Sequence, residues 1–135
     1  MDRFVKSFIV MSIVYLAIAS ILGVCMIARP SLLTLKFVHS HLMLIGWVSM
    51  MIYGVGYHIL PRFAGKLIKS KAMAELQFWL ANIGLAGMLG FYGIDAYNST
   101  SSYRGLTTVF GIVEAVSVFL FFYNMIATLY AKQPE

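Results

Sequence analysis

Charge and cysteine are scarce in this chain of 135 residues. Only 11% of it is charged and five residues are acidic, where an ordinary soluble domain is about a quarter charged. That scarcity excludes a soluble globular domain and a charge-rich disordered one. The single cysteine, Cys25, permits no internal disulfide and no multi-cysteine metal site, so packing alone must hold the fold. The alternating ten-residue segments of a transmembrane barrel are missing as well, which argues for helices.

What the chain has in abundance is apolar surface: 61% of residues are apolar and the mean hydropathy is +0.85. Apolar blocks fall at about residues 7–28, 38–60, 73–94 and 107–130. Each can cross a hydrocarbon layer of about 30 Å at about 1.5 Å per residue. The expected fold is all-α, a polytopic membrane protein whose four transmembrane helices form one bundle over residues 1–135. The first block follows Arg3 and Lys6, and Leu22-Gly23-Val24-Cys25 distantly resembles a lipoprotein cleavage box. It is longer than a usual signal h-region, and Val24 is a poor residue before such a cysteine, so it reads as a retained signal-anchor helix.

The ten Lys and Arg are scattered between apolar blocks without interleaved aromatics, so no nucleic-acid partner is expected despite a net charge of +5. They read as a topology signal. Arg3, Lys6, Arg62, Lys66, Lys69, Lys71 and Lys132 fall on one side, and Arg29, Lys36 and Arg104 on the other. The positive-inside rule then puts both termini in the cytoplasm, and the second helix runs inward from near His39 to near His58. The expected location is the prokaryotic inner (cytoplasmic) membrane. Asn98-Ser99-Thr100-Ser101-Ser102 is a polar, turn-rich connector on the outer side.

All three histidines, His39, His41 and His58, lie on the second helix. Ionisable groups are costly in a membrane span and mark function by default, and histidine is the commonest ligand of metals and a ligand of heme iron. The plainer alternative is that they cap the helix at the headgroups. At about 100° per residue His41 lies about 200° from His39, so the three cannot serve one metal. Met43, Gly46, Met50, Tyr53 and Tyr57 follow the His39 side, where Gly46 leaves room for a flat macrocycle and Tyr57 offers a polar tip to its edge. Ile45, Val48, Ile52, Val55 and Ile59 follow the His41 side and read as lipid-facing or packing surface. His41 and His58 are about 26 Å apart along an ideal helix, near opposite membrane faces.

No other helix supplies a histidine, so a second axial ligand would be a histidine of another subunit, a methionine such as Met26 or Met88, or nothing. A homo-oligomer is therefore expected, with Gly46, Gly54 and Gly56 permitting close helix contact. Glu114, inside the fourth apolar block at about the depth of Gly46, is a candidate proton or quinol partner, or a structural hydrogen-bonding group. Asn82 and Asn124 read as interhelical glue. The nine methionines, with His39, His41 and Met43 as a mixed imidazole and thioether set, also admit copper handling.

His39 followed by Met43, Gly54 and Pro61, together with Leu76-Gln77-Phe78-Trp79-Leu80, resembles subunit I of the heme-copper oxidases. The resemblance is closest to small relatives in the C-type oxidase and nitric oxide reductase branch, and it covers about residues 37–95. The first stretch is similar to the second oxidase helix, whose histidine holds the low-spin heme toward the outer face. The second is similar to the opening of the third. The spacing to Pro61 departs by about a residue, which leaves both His39 and His41 as candidates. The resemblance implies the low-spin heme half of such a subunit: heme b, one or two per protomer, with His39 or His41 as the outer iron ligand and His58 a candidate for a second heme. The implied role is electron transfer or binding of a small gas, with a quinol or redox protein as partner. The histidines of a complete oxygen-reduction centre are missing. The alternative is a non-catalytic accessory or assembly protein that handles copper or heme.

Overall fold

The computed structural model describes residues 1–98 and 102–131, and every regular element in it is helical. Ser99, Thr100 and Ser101 of the polar connector, and Lys132, lie outside the described residues. Helix α1 (Arg3–Ala28) ends at an extended Arg29, and Pro30 opens a 3-10 turn (Pro30–Leu35), where its fixed φ and missing N–H do no harm. The chain returns through α2 (Lys36–His41), a π-helical stretch (Leu42–Ser49) and α3 (Met50–Phe63). These pieces run on as one rod, Pro30–Phe63. Helices α4 (Lys71–Asp95) and α5 (Arg104–Leu129) complete the chain.

Three of these units, α1, the rod and α5, are long and apolar enough to cross a membrane. Helix α4 matches them in length at 25 residues but carries Glu75, Gln77 and Asn82 in its body.

The rod stops at a glycine. Gly65 takes a φ of 64°, the Gly65 N–H bonds to Arg62 O at 3.0 Å and the Lys66 N–H to Pro61 O at 2.8 Å, which together form a Schellman motif. Five residues later Ser70 caps α4, its hydroxyl accepting from the Met73 N–H at 3.1 Å.

The bundle is two antiparallel hairpins laid side by side. In the first, α1 packs along the rod; in the second, α4 packs along α5, a seam about as extensive as the first. Small residues set both seams. A Cβ on Gly84 would stand 2.6 Å from the backbone nitrogen of Glu114, and one on Gly54 would stand 2.8 Å from Ile9. Where the hairpins meet, Phe8, Tyr53, Tyr57 and Phe121 form an edge-to-face aromatic cluster, with Phe4 against Tyr57.

The rod buries Gly46, Met50, Tyr53 and Tyr57 and exposes Val48, Ile52, Val55 and Ile59, as the stripes of the sequence require. Ile45 departs from that pattern and packs on the core. The π-helical stretch accounts for such slippage, because i→i+5 bonding turns the chain more slowly per residue than an α-helix.

Candidate functional site

The N-terminal half of the rod, where the outer end is expected, holds two half-buried imidazoles on different neighbours. His39 leans on α1: its Nδ1 bonds the Ala19 carbonyl at 3.1 Å, and its ring lies over Gly23, where a Cβ would come within 3.0 Å of Cε1. His41 bonds the Phe37 carbonyl through Nδ1 at 2.9 Å, and its ring sits 3.9 Å from that of Phe37. Phe37 in turn stacks on Tyr92 of α4 at 4.2 Å, so the two histidines are braced by opposite hairpins. The sequence pattern favours only His39 as inward-facing, but both rings are packed.

A carbonyl can only accept, so Nδ1 carries the proton in both rings and the Nε2 lone pair is left for a ligand. This is the arrangement of a metal-bound histidine, whose other ring N–H is held by a carbonyl or carboxylate.

His58, near the C-terminal end of the rod, is arranged the other way. Nη1 of Arg62, one turn on, donates to His58 Nδ1 and to the His58 carbonyl, the latter at 2.9 Å. A guanidinium can only donate, so Nδ1 of His58 is an acceptor and the neutral ring carries its proton on Nε2.

Gly46 and Tyr57 lie in the packed interior. A Cβ on Gly46 would stand 2.8 Å from Tyr15 and 3.3 Å from Leu85, so those side chains fill the place where a macrocycle is expected. The three rod glycines also serve contacts within the chain: Gly46 and Gly54 seat α1, and Gly56 faces Phe121 at 3.4 Å. Tyr57 is 2% exposed and donates to Gln77 Oε1 at 2.7 Å. Asn124 Nδ2 reaches the Tyr57 hydroxyl at 3.4 Å and the Ser70 carbonyl at 2.8 Å, while Asn124 Oδ1 accepts from the Ser70 N–H at 3.1 Å. This network ties α3, α4, α5 and the Ser70 cap together. Asn82 is interhelical too, accepting from the Tyr15 hydroxyl at 2.9 Å.

Gln77 is the residue that the sequence reading missed. It stands inside the Leu76–Leu80 stretch and is fully buried, and the signal it offers is a polar amide within an apolar block.

Glu114 is buried where α5 crosses Gly84. The Ser117 hydroxyl donates to the Glu114 carbonyl at 2.7 Å and approaches Oε1 at 3.5 Å, while Oε2 has no partner among the described residues. An unmatched carboxyl oxygen in an apolar bundle is a place for a water or a transferable proton.

Among the described residues no three His, Cys, Asp or Glu side chains come together as a metal site. Comparison with known proteins finds no family whose sequence pattern matches the chain and no curated relative.

Proposed function

We propose that the protein is a heme b-binding integral membrane electron carrier, with iron held at the outer end by Nε2 of His39 or His41. The observation that carries this reading is that both rings donate Nδ1–H to a backbone carbonyl, which fixes the tautomer a ligand needs. Heme, when bound, supplies a one-electron iron couple. The chain's own part is to orient the imidazole: Ala19 and Gly23 hold His39, and the Phe37–Tyr92 stack holds His41. Because Tyr15 and Leu85 fill the space at Gly46, a heme would be held at the edge of the bundle by His39 or His41, together with a residue of another copy of the chain.

In this reading α4 is the fourth crossing, supported by its length and its packing along α5 at Gly84 and Gly87, and both termini are cytoplasmic. The membrane is the prokaryotic inner one, and the electron donor or acceptor is a quinol or redox protein. Glu114, with its unmatched Oε2, is the group proposed to take up a proton there. His58 enters as a ligand for a second heme only by releasing Arg62.

The test is the reduced-minus-oxidised optical spectrum of detergent-purified protein, with pyridine hemochrome quantitation. Sharp reduced bands of low-spin heme b support the reading. A colourless protein made with heme supplied overturns it, and stoichiometric copper uptake by that protein would put metal handling in its place.

A further inference from the structure

At the inner end, on the opposite side of the bundle from any heme ligand proposed above except His58, a cleft of about 260 Å³ opens between the end of α3 and the starts of α1 and α4. Arg62, Lys66 and Lys71 line it, against a single carboxylate, Asp2. Lys71 is paired with Asp2 at 3.1 Å. The other two cations have no carboxylate partner among the described residues, and both are held in place by groups that leave donors over.

Arg62 spends both Nη1 hydrogens on His58, which leaves the Nε–Nη2 edge, the fork that meets a phosphate with two parallel bonds. Lys66 gives one hydrogen to the Leu129 carbonyl at the end of α5 and keeps two. The Schellman turn fixes the spacing of the pair, since its two bonds run from Gly65 to Arg62 and from Lys66 to Pro61. Pre-positioned donors of this kind bind an anion with little ordering cost.

The same turn exposes two large apolar side chains, Phe63 at 87% and Leu67 at 92%. A site for a soluble anion has no use for them, whereas a phospholipid brings acyl chains beside its phosphate.

We infer that the Arg62–Lys66 cleft binds the phosphate of an anionic phospholipid headgroup, with Phe63 and Leu67 seated in the adjoining acyl region. A free phosphate shares the headgroup chemistry but leaves the two apolar side chains in water. The inference needs the chain to sit in a bilayer and is independent of heme.

The experiment is native mass spectrometry of the full-length protein in detergent, titrated with phosphatidylglycerol, with phosphatidylcholine, or with inorganic phosphate. Retention of phosphatidylglycerol over phosphatidylcholine is expected in the wild type. Affinity should fall on the order of fivefold in Arg62→Gln and again in the Arg62→Gln/Lys66→Gln double variant, following the attraction of a single basic residue to an anionic surface. Arg104→Gln, at the other end of the bundle, should bind as wild type, and unchanged helical circular dichroism shows that the variants fold. Retained lipid binding in the double variant, or equal retention of the two lipids, overturns the assignment. Inorganic phosphate that displaces phosphatidylglycerol at comparable concentration overturns the lipid as the ligand and leaves a free-phosphate site.

Discussion

The two ends of the rod carry the same side chain in opposite states. Toward its N-terminal end, the proposed outer one, His39 and His41 donate Nδ1–H to carbonyls and keep an Nε2 lone pair; toward its C-terminal end, the proposed inner one, His58 accepts at Nδ1 from Arg62. Residue type and helix are the same, so the difference lies wholly in the partner. An acceptor beside Nδ1 leaves the Nε2 lone pair open, and a permanent donor beside it turns the ring into a clamp for that donor. The ends also differ in what secures them. Side-chain hydrogen bonds among Tyr57, Gln77, Asn124 and Ser70 knit the inner half, whereas ring stacking and the Gly23 contact support the outer half.

The largest break in this comparison comes from removing the imidazoles. His39→Ala combined with His41→Ala should abolish the heme b bands, while His58→Ala should keep most of them; equal losses at the two ends, read by hemochrome quantitation, would erase the distinction. Next comes the inner network. Asn124→Ala removes three hydrogen bonds, two of them to the Ser70 backbone and one to the Tyr57 hydroxyl, which keeps its bond to Gln77, and a loss of about 1–3 kcal/mol is expected in reversible detergent unfolding. Asn82→Ala removes one interhelical bond and should cost about 0.6 kcal/mol.

A smaller effect is expected from Gly23→Val, which keeps every ligand but pushes into the His39 ring. It should weaken heme retention severalfold, whereas Gly90→Ala, with nothing within 4 Å of the added Cβ, should leave retention unchanged. The subtlest test is spectroscopic. With Arg62→Met the donor to His58 is gone, so the ring nitrogen signals of His58 should shift toward a mixture of tautomers in solid-state nitrogen NMR. Those of His39 and His41 should stay in the Nδ1–H form.

Much of the architecture is legible in the residues because bilayer thickness dictates it. The block expected at residues 7–28 appears as Arg3–Ala28, and that at 107–130 as Arg104–Leu129, each starting earlier because a helix runs on through the charged residues at which a hydropathy block stops. The buried and exposed stripes of the rod could also be read, since lipid and core select opposite faces. The π-helical stretch could not, because residues 42–49 are apolar but for Ser49 and carry no polar phase to betray a wider turn.

The use of the glycines was hidden for another reason. Gly46 and Gly54 look free for a second subunit until α1 is laid antiparallel to the rod, and Tyr15 and Ile9 then arrive at their heights. Tautomers are partly legible: Arg62 stands four residues after His58, a spacing that meets on a helix, whereas the Ala19 carbonyl that defines His39 comes from a different helix.

The wide turn at Leu42–Ser49 holds more residues per unit of height than an α-helix would, and it separates His39 from the Tyr53–Tyr57 face. Losing or gaining one residue there would leave that face seated on the core while swinging the outer imidazoles around the rod by about 100°. A single codon inserted or deleted in this stretch thus takes His39 off α1, and only a two-residue change, about 200°, brings His41 round in its place, so this site can diverge by indel while the rest of the bundle keeps its sequence.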